Sequence, residues 1–142
     1  MYGKILIAVD GSESNKAAVD QGLGMAKIFG SKVTAVSVAD PGPSSTVPRD
    51  STAAYRKSIH DESRSALCYV KEKADALGVD AEYKVVEGHP SEVIVSMSAD
   101  FDLVVLATLG KTGFRRLALG SVAETVIRSA KCTVVVCRPS EN

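Results

Sequence analysis

The stretch from Asp102 to Val122, DLVVLATLGKTGFRRLALGSV, combines the residue types that hold a phosphate group. An apolar, β-branched run ends at Thr108, and an amphipathic helical pattern begins at Ser121. Between them lie three glycines and three cations, which are Gly110, Gly113, Gly120, Lys111, Arg115 and Arg116. A strand that leads through such a loop to a helix presents free backbone N–H groups and the positive end of the helix dipole to an anion. The sequence therefore predicts an anion site in this loop.

Gly110-Lys111-Thr112 looks like the end of a Walker A phosphate loop, but the rest of that motif is missing. The motif requires a first glycine five positions before its Gly-Lys pair, and Val105 stands there, inside the apolar run. Its helix should also begin at the Lys-Thr pair, whereas here Gly113 follows at once and the helical pattern begins later. We therefore interpret the GKT sequence as a coincidence.

Strand and helix patterns alternate along the whole chain. The predicted strands are Lys4 to Asp10, Lys32 to Val38, Ala81 to Gly88, Asp102 to Thr108 and Cys132 to Arg138. Four amphipathic helical segments lie between them, and alternation of this kind gives a parallel sheet covered on both faces. We predict an α/β protein, a single three-layer α/β/α sandwich with a five-stranded parallel sheet in the order 3-2-1-4-5 and four helices. Residues 1–142 are expected to form one domain.

Ligands of open parallel sheets bind beyond the carboxyl ends of the strands, where the strand order reverses. Asp10 ends the first strand at that point, and its carboxylate suits either hydrogen bonds to ribose hydroxyls or capping of the next helix. Ser121-Val122-Ala123-Glu124 has the S-x-x-E pattern of a capping box. Ser121 is accordingly predicted to cap its helix, to donate to a phosphate, or to do both.

The bulk composition excludes several classes of protein. Lys plus Arg and Asp plus Glu number 17 each, so the formal net charge is zero and a general nucleic-acid binder is not expected. The longest apolar runs span about five residues, against the roughly 20 that cross a bilayer, so no membrane association is expected. Three cysteines without a C-x-x-C pair indicate reduced, structural thiols and a cytoplasmic location. Two histidines far apart in sequence offer no resident metal site.

The chain resembles the universal stress protein family over essentially its whole length. The resemblance is carried by VDGS at the end of the first strand, the glycine loop, LGSVAE at the following helix and VVVCRP at the end. Nucleotide-binding members of that family carry Gly, two residues, Gly, nine residues, Gly, then Ser or Thr. Gly110, Lys111 to Leu119, Gly120 and Ser121 match this pattern, and Ala107 stands where the first glycine is expected.

The resemblance implies a nucleotide site in which Ala8 and Val38 flank adenine, Val38 through its backbone atoms. The residues predicted for the whole site are Ala8, Asp10, Val38, Ala107, Gly110, Lys111, Gly113, Gly120, Ser121 and Val122. The implied ligand is ATP, with Mg or Mn reaching Asp10 through the phosphates. No nucleophile beside a base and no carboxylate pair is evident, so no catalytic residue is predicted.

Three functions remain open at the level of sequence. The first is a cytoplasmic ATP-binding stress-response module whose conformation or affinity for an unknown protein partner depends on the nucleotide. The second is a nucleotide-independent dimeric interaction or scaffold protein, which the alanine at position 107 favours. The third is a slow ATPase. A homodimer is expected through the last strand, Cys132 to Arg138, because an unpaired apolar edge invites pairing with a second copy.

Overall fold

The computed structural model describes residues 1–42, 52–109 and 119–139. Three predicted site residues, Gly110, Lys111 and Gly113, lie outside these ranges. So do Arg115, Arg116 and most of the long loop predicted from Ala39 to Ser51.

The five predicted strands form one sheet. Their bounds are β1 Lys4–Ala8, β2 Lys32–Ala39, β3 Ala81–Glu87, β4 Leu103–Ala107 and β5 Thr133–Cys137. All four neighbouring pairs are parallel, and the order β3-β2-β1-β4-β5 confirms the predicted one. Since β1 ends at Ala8 and β4 ends at Ala107, both strands stop short of the polar residues predicted to end them.

Four α-helices connect the strands within the described part of the chain. They are α1 Lys16–Phe29, α2 Thr52–Leu77, α3 Pro90–Ser98 and α4 Ser121–Ser129. A single 3-10 turn, Glu13–Asn15, precedes α1. Gly30 and Gly78 follow α1 and α2 with positive φ of 68° and 70°, the left-handed conformation that ends a helix. None of the helices in the described ranges is both long and apolar enough to cross a membrane.

The protein has three layers, with an apolar cluster between the sheet and the helices on each face. On one face of the sheet, α1 and α2 pack over residues such as Ile7 and Val105, and Leu67 of α2 belongs to the same cluster. On the other face, α3 and α4 pack over residues such as Leu6 and Val104. Both faces are buried because β1, β2 and β4 are apolar at nearly every position, as parallel strands covered on both sides must be. Because these three strands are parallel, their carboxyl ends lie together at one edge of the sandwich.

Helix α1 lies close to the centre of the sheet because Gly22 has no side chain. A Cβ at that position would come within 2.8 Å of the Cδ1 atom of Ile7 and within 3.4 Å of Cγ1 of Val105. This close approach places the middle of α1 directly against β1 and β4.

Candidate functional site

A cleft of about 420 Å³ opens at the carboxyl end of the sheet, over the ends of β1, β2 and β4. Seven of the predicted site residues line it: Ala8, Asp10, Val38, Ala107, Gly120, Ser121 and Val122. These are all of the predicted site residues that fall within the described ranges. The structure therefore brings together residues from three strands and one helix that are far apart in sequence.

The cleft straddles the sheet and has two walls. The wall on the α1 and α2 side is built by Val9, Asn15, Ser37, Ala39, Ile59 and Ser63. The wall on the α3 and α4 side is built by Ala8, Val38, Ile94, Leu106 and Ala123.

The backbone of Val38 is free to bind a ligand. Even-numbered residues of β2 direct their N–H and C=O groups toward β1, since the Lys32 N–H donates to Gly3 and the Val36 carbonyl accepts from Val9. At Val38 the chain of β1 has already turned away. Among the described residues neither the N–H nor the C=O of Val38 has a hydrogen-bond partner.

Asp10 shapes the turn that follows β1. Its Oδ1 accepts hydrogen bonds from the backbone N–H of Ser12 at 2.9 Å and from the Ser12 hydroxyl at 2.7 Å. The side chain of Asn15 holds the same turn, donating to the Ala8 carbonyl at 2.9 Å and accepting from the Asp10 N–H at 3.3 Å. No described residue donates to Oδ2 of Asp10, which leaves one carboxylate oxygen for a ligand.

Ala107 has the ordinary backbone of a strand residue. It pairs with Cys137 in the ladder between β4 and β5. Its φ is not positive, and its side chain is 8% exposed and belongs to the apolar cluster under α1 and α2. The methyl group is therefore accommodated without backbone strain.

The predicted capping box at the start of α4 is wrong. Gly120 occupies the N-cap position, Ser121 is the first helical residue, and the structure has no side-chain cap bond there. Glu124 instead forms an ion pair with Arg128, its Oε1 lying 2.9 Å from the guanidinium. Because the first helical bond runs from the Glu124 N–H to the Gly120 carbonyl, the N–H groups of residues 121–123 have no acceptor among the described residues.

His89 lies at the start of α3 and lines the cleft. It occupies the N-cap position of α3 without making a side-chain cap bond. Its Nδ1 lies 3.5 Å from Oδ2 of Asp40, and both residues line the cleft. This contact joins two loops at the rim, and no pattern in the sequence indicated it.

Sequence reasoning missed several further residues of the cleft. Ser37, Asp40, Ile59, Glu62 and Ser63 all line it. Thr108 lines it too, and its Oγ1 is fully enclosed without a hydrogen-bond partner. These residues come from β2, from α2 and from the end of β4, and only the folded sheet brings them to one place.

The described lining of the cleft is acidic. It includes the carboxylates of Asp10, Asp40 and Glu62, and it contains no Lys or Arg. Within the described ranges no group of three or more His, Cys, Asp or Glu side chains is placed to hold a metal ion. The free N–H groups at the start of α4 are thus the described feature of the cleft that favours an anion.

The cysteines do not contribute reactive thiols to this cleft. All three are free, and burial raises the pKa of the thiols of Cys132 and Cys137 above the ordinary value. A raised pKa keeps a thiol protonated and therefore weakly nucleophilic. This agrees with the structural role expected for Cys132 and Cys137.

The fold is that of a known class of α/β protein. The sequence model of the universal stress protein family matches residues 1–138. The chain therefore belongs to the universal stress protein family. A universal stress protein of Methanocaldococcus jannaschii is 37% identical over 141 residues, covering 97% of this chain and 83% of the relative.

Solved structures share the fold. The universal stress protein UspA from Lactobacillus plantarum superposes with a TM-score of 0.85 at 23% identity, over 96% of this chain and 98% of that one. A universal stress protein in complex with cAMP gives a TM-score of 0.74 at 24% identity, over 98% and 99% of the two chains. A family protein from Arabidopsis thaliana with AMP bound gives 0.70 at 20% identity, over 96% and 92%. At these identities the likeness establishes the architecture.

Proposed function

We propose that this protein binds ATP in the edge cleft and acts as a stress-response module of the cytoplasm. Nucleotide occupancy alters its conformation or its affinity for a protein partner. The observation that carries the proposal is the convergence of Ala8, Asp10, Val38, Ala107 and the start of α4 on one cleft. The cAMP and AMP complexes of the two proteins of the same fold support it, because they show that this architecture can hold an adenine nucleotide.

The proposed arrangement assigns each part of the nucleotide to a different element. Adenine lies between Ala8 and Val38, where the free N–H and C=O of Val38 can pair with its edge. The ribose hydroxyls bond to Asp10. The phosphates lie at the N-terminus of α4, on Gly120, Ser121 and Val122, where unpaired N–H groups and the helix dipole favour negative charge. Gly110, Lys111 and Gly113 complete the phosphate side from the loop.

A divalent cation, Mg or Mn, fits this proposal only together with the phosphates. The described residues provide one suitably placed oxygen, Oδ2 of Asp10, and this is too few ligands to hold either metal without a phosphate. The cation would supply charge neutralisation next to the three carboxylates that line the cleft. The proposal includes no catalytic residue, and any hydrolysis of ATP is slow and secondary.

Purification without added ligand tests the proposal most directly. Denaturing the purified protein and identifying the released small molecules by mass spectrometry should yield an adenine nucleotide, or calorimetry should show saturable ATP binding. Absence of both at millimolar ATP would refute the proposed function.

The position of β5 at the edge of the described sheet favours a second function, that of a dimeric interaction protein independent of nucleotide. The Cys137 carbonyl accepts from the Thr108 N–H, so the odd-numbered residues of β5 pair with β4. Val134 and Val136 therefore direct their N–H and C=O groups outward, along the segment Cys132 to Arg138. We propose that a homodimer forms through this edge, with residues 1–142 acting as one domain in each protomer. A dimer without detectable nucleotide affinity would favour this second function.

A further inference from the structure

Two buried serines line the cleft on its α2 side, outside the set of residues predicted for the site. Ser37 of β2 is 2% exposed and Ser63 of α2 is 6% exposed, and both line the cleft. Ser37 alternates with Ala35 on the sheet face that α2 covers, and Ser63 shares the buried side of α2 with Leu67. The two side chains therefore belong to the same wall, one from the sheet and one from the helix above it.

Neither hydroxyl has a hydrogen-bond partner in residues 1–42, 52–109 or 119–139. A helical serine often bonds to a carbonyl of the preceding turn, as Ser98 does to Val95 at 2.6 Å, but Ser63 does not. Among the described residues, the side-chain oxygen that is both fully enclosed and without a hydrogen-bond partner is Thr108 Oγ1, and not the Oγ of Ser37 or Ser63. The hydroxyls of Ser37 and Ser63 therefore retain access to the cleft. Buried hydroxyls are nearly always hydrogen-bonded, which suggests that a ligand completes these two.

The chemistry of this wall suits a neutral heterocycle rather than a phosphate. Each hydroxyl can both donate and accept a hydrogen bond. The surrounding side chains, Val9, Ala39 and Ile59, are apolar, and the neighbouring charged group on α2 is the carboxylate of Glu62. A phosphate would find no cation among the described residues of this wall, whereas a nucleobase offers ring nitrogens and exocyclic groups to two hydroxyls.

The position of the serines agrees with a base at the end of β1. Ser37 directly precedes Val38, whose free N–H and C=O point into the space that β1 leaves. A base bonded to the Val38 backbone would lie beside the wall that carries Ser37 and Ser63, so that groups on its edge could reach the two hydroxyls. The backbone of Val38 would hold the base, and the two side chains would select among bases.

We propose that Ser37 and Ser63 are specificity-determining residues that hydrogen-bond the nucleobase of the ligand. The inference rests on the proposed function and deepens it, because it separates recognition of the base from recognition of the phosphates. Loss of one hydroxyl should weaken binding of the preferred base and leave the phosphate contacts intact.

The test compares wild type, Ser37→Ala and Ser63→Ala by calorimetry against ATP, GTP, CTP and UTP, which share the same triphosphate and ribose. Each variant should bind ATP roughly 5- to 30-fold more weakly, the fold-change expected for one buried hydrogen bond. The ratio of ATP to CTP affinity should fall at least about threefold. Ser91→Ala is the matched control, since Ser91 is also 6% exposed but lies outside the cleft lining, and its affinities should be unchanged.

Different results overturn different statements. If the wild type binds ATP and both variants keep its affinities, or lose affinity for all four nucleotides by the same factor, the serines do not read the base and only this inference fails. If the wild type binds none of the four nucleotides, the proposed function fails and the inference fails with it. Thermal unfolding of each variant confirms that the measured protein is folded.

Discussion

The backbone N–H of Gly120 donates a 2.7 Å hydrogen bond to the carbonyl oxygen of Thr108. The Thr108 N–H in turn donates to the Cys137 carbonyl at 3.0 Å, so the same residue joins the end of β4 to β5 and to the start of α4. The N-terminus of α4 is thus fixed beside the sheet by the backbone. A side chain added at position 120 would leave this backbone hydrogen bond intact and would occupy part of the cleft.

Gly120→Val should abolish nucleotide binding and preserve the fold. Gly120 has φ −65° and ψ 158°, an extended conformation that valine adopts readily. Its branched side chain would stand at the N-cap of α4, where the proposed phosphates approach the backbone. We expect at least about a 100-fold loss of ATP affinity by calorimetry, near 3 kcal/mol, with an unchanged circular dichroism spectrum.

Gly24→Ala is the matched control for that variant. Gly24 lies within α1, and a Cβ built there meets nothing within 4 Å. Alanine in the helix should raise the free energy of unfolding by up to about 1 kcal/mol and leave ATP affinity unchanged. If Gly120→Val binds ATP as well as Gly24→Ala does, the α4 N-terminus is not part of the binding site.

Ala107→Gly tests the position at which the chain departs from the family's loop pattern. The methyl group packs into the core from an ordinary strand conformation, so its removal should change ATP affinity less than about threefold. Glycine in a strand should lower the free energy of unfolding by roughly 1 kcal/mol, measured by urea denaturation. A tenfold or larger gain in affinity would show instead that the methyl group crowds the ligand.

Sequence patterns predicted the fold because each signal was local. Continuous apolar runs marked the strands, and Gly30 and Gly78, which have positive φ, follow the ends of α1 and α2. The strand order is that of a doubly wound sheet, in which β4 pairs with β1 on the side opposite β2. The boundaries were less accurate, since β1 and β4 end where pairing with a neighbour ends, which one strand's own sequence does not determine.

The candidate site was predictable only where a motif marked it. Ser121 and Glu124 have the spacing of a capping box, but the Gly120–Thr108 bond places Gly120 at the N-cap position instead. Ser37 and Ser63 are ordinary residues in their own segments, and they line one wall only because α2 packs over β2. Contacts of this kind depend on tertiary packing, which leaves no local pattern.

Asp10→Asn should separate the ligand role of the carboxylate from its structural role. Asparagine keeps an oxygen that can accept from Ser12 N–H and Oγ, so the turn after β1 should persist. Loss of the charge should weaken ATP binding more in the presence of Mg than in the presence of a chelator, if the cation reaches Asp10. Asp10→Ala removes both hydrogen bonds to Ser12 and should in addition lower the free energy of unfolding by about 1 kcal/mol. This is the usual cost of losing a helix N-cap side chain, which makes similar bonds to the backbone. Equal losses with and without Mg would exclude a cation at Asp10.

Tyr69 gives the protein a pH-dependent contribution to stability on the alkaline side. Burial, followed by a 2.8 Å hydrogen bond to Oδ1 of Asp20, raises the pKa of Tyr69 from 10.0 to about 12. Because the folded state holds this proton more tightly than the unfolded state, the contribution is complete below pH 10 and is lost as the pH rises toward 12. Tyr69→Phe should flatten the fall of unfolding free energy across that window, measured by urea denaturation. A fall as steep as that of the wild type would contradict this assignment.

Val136→Pro should separate the proposed dimer into folded monomers. The N–H of Val136 points away from β4, because the odd-numbered residues of β5 make the β4 ladder. Proline there removes one outward donor and keeps the ladder, which edge strands tolerate. Val135 precedes it in an extended strand, the conformation that a residue before proline prefers. Light scattering at micromolar concentration should show a dimer for the wild type and a monomer for the variant.

Val135→Pro is the informative comparison for the β5 edge. Its N–H faces β4, so proline at this position should break the ladder and unfold the protein at lower urea concentration. If Val136→Pro remains dimeric while Val135→Pro is destabilised, the register of β5 is as described but the dimer does not form through this edge. If the wild type is itself monomeric, the outward groups of Val134 and Val136 pair with water, and the interaction function loses its structural basis.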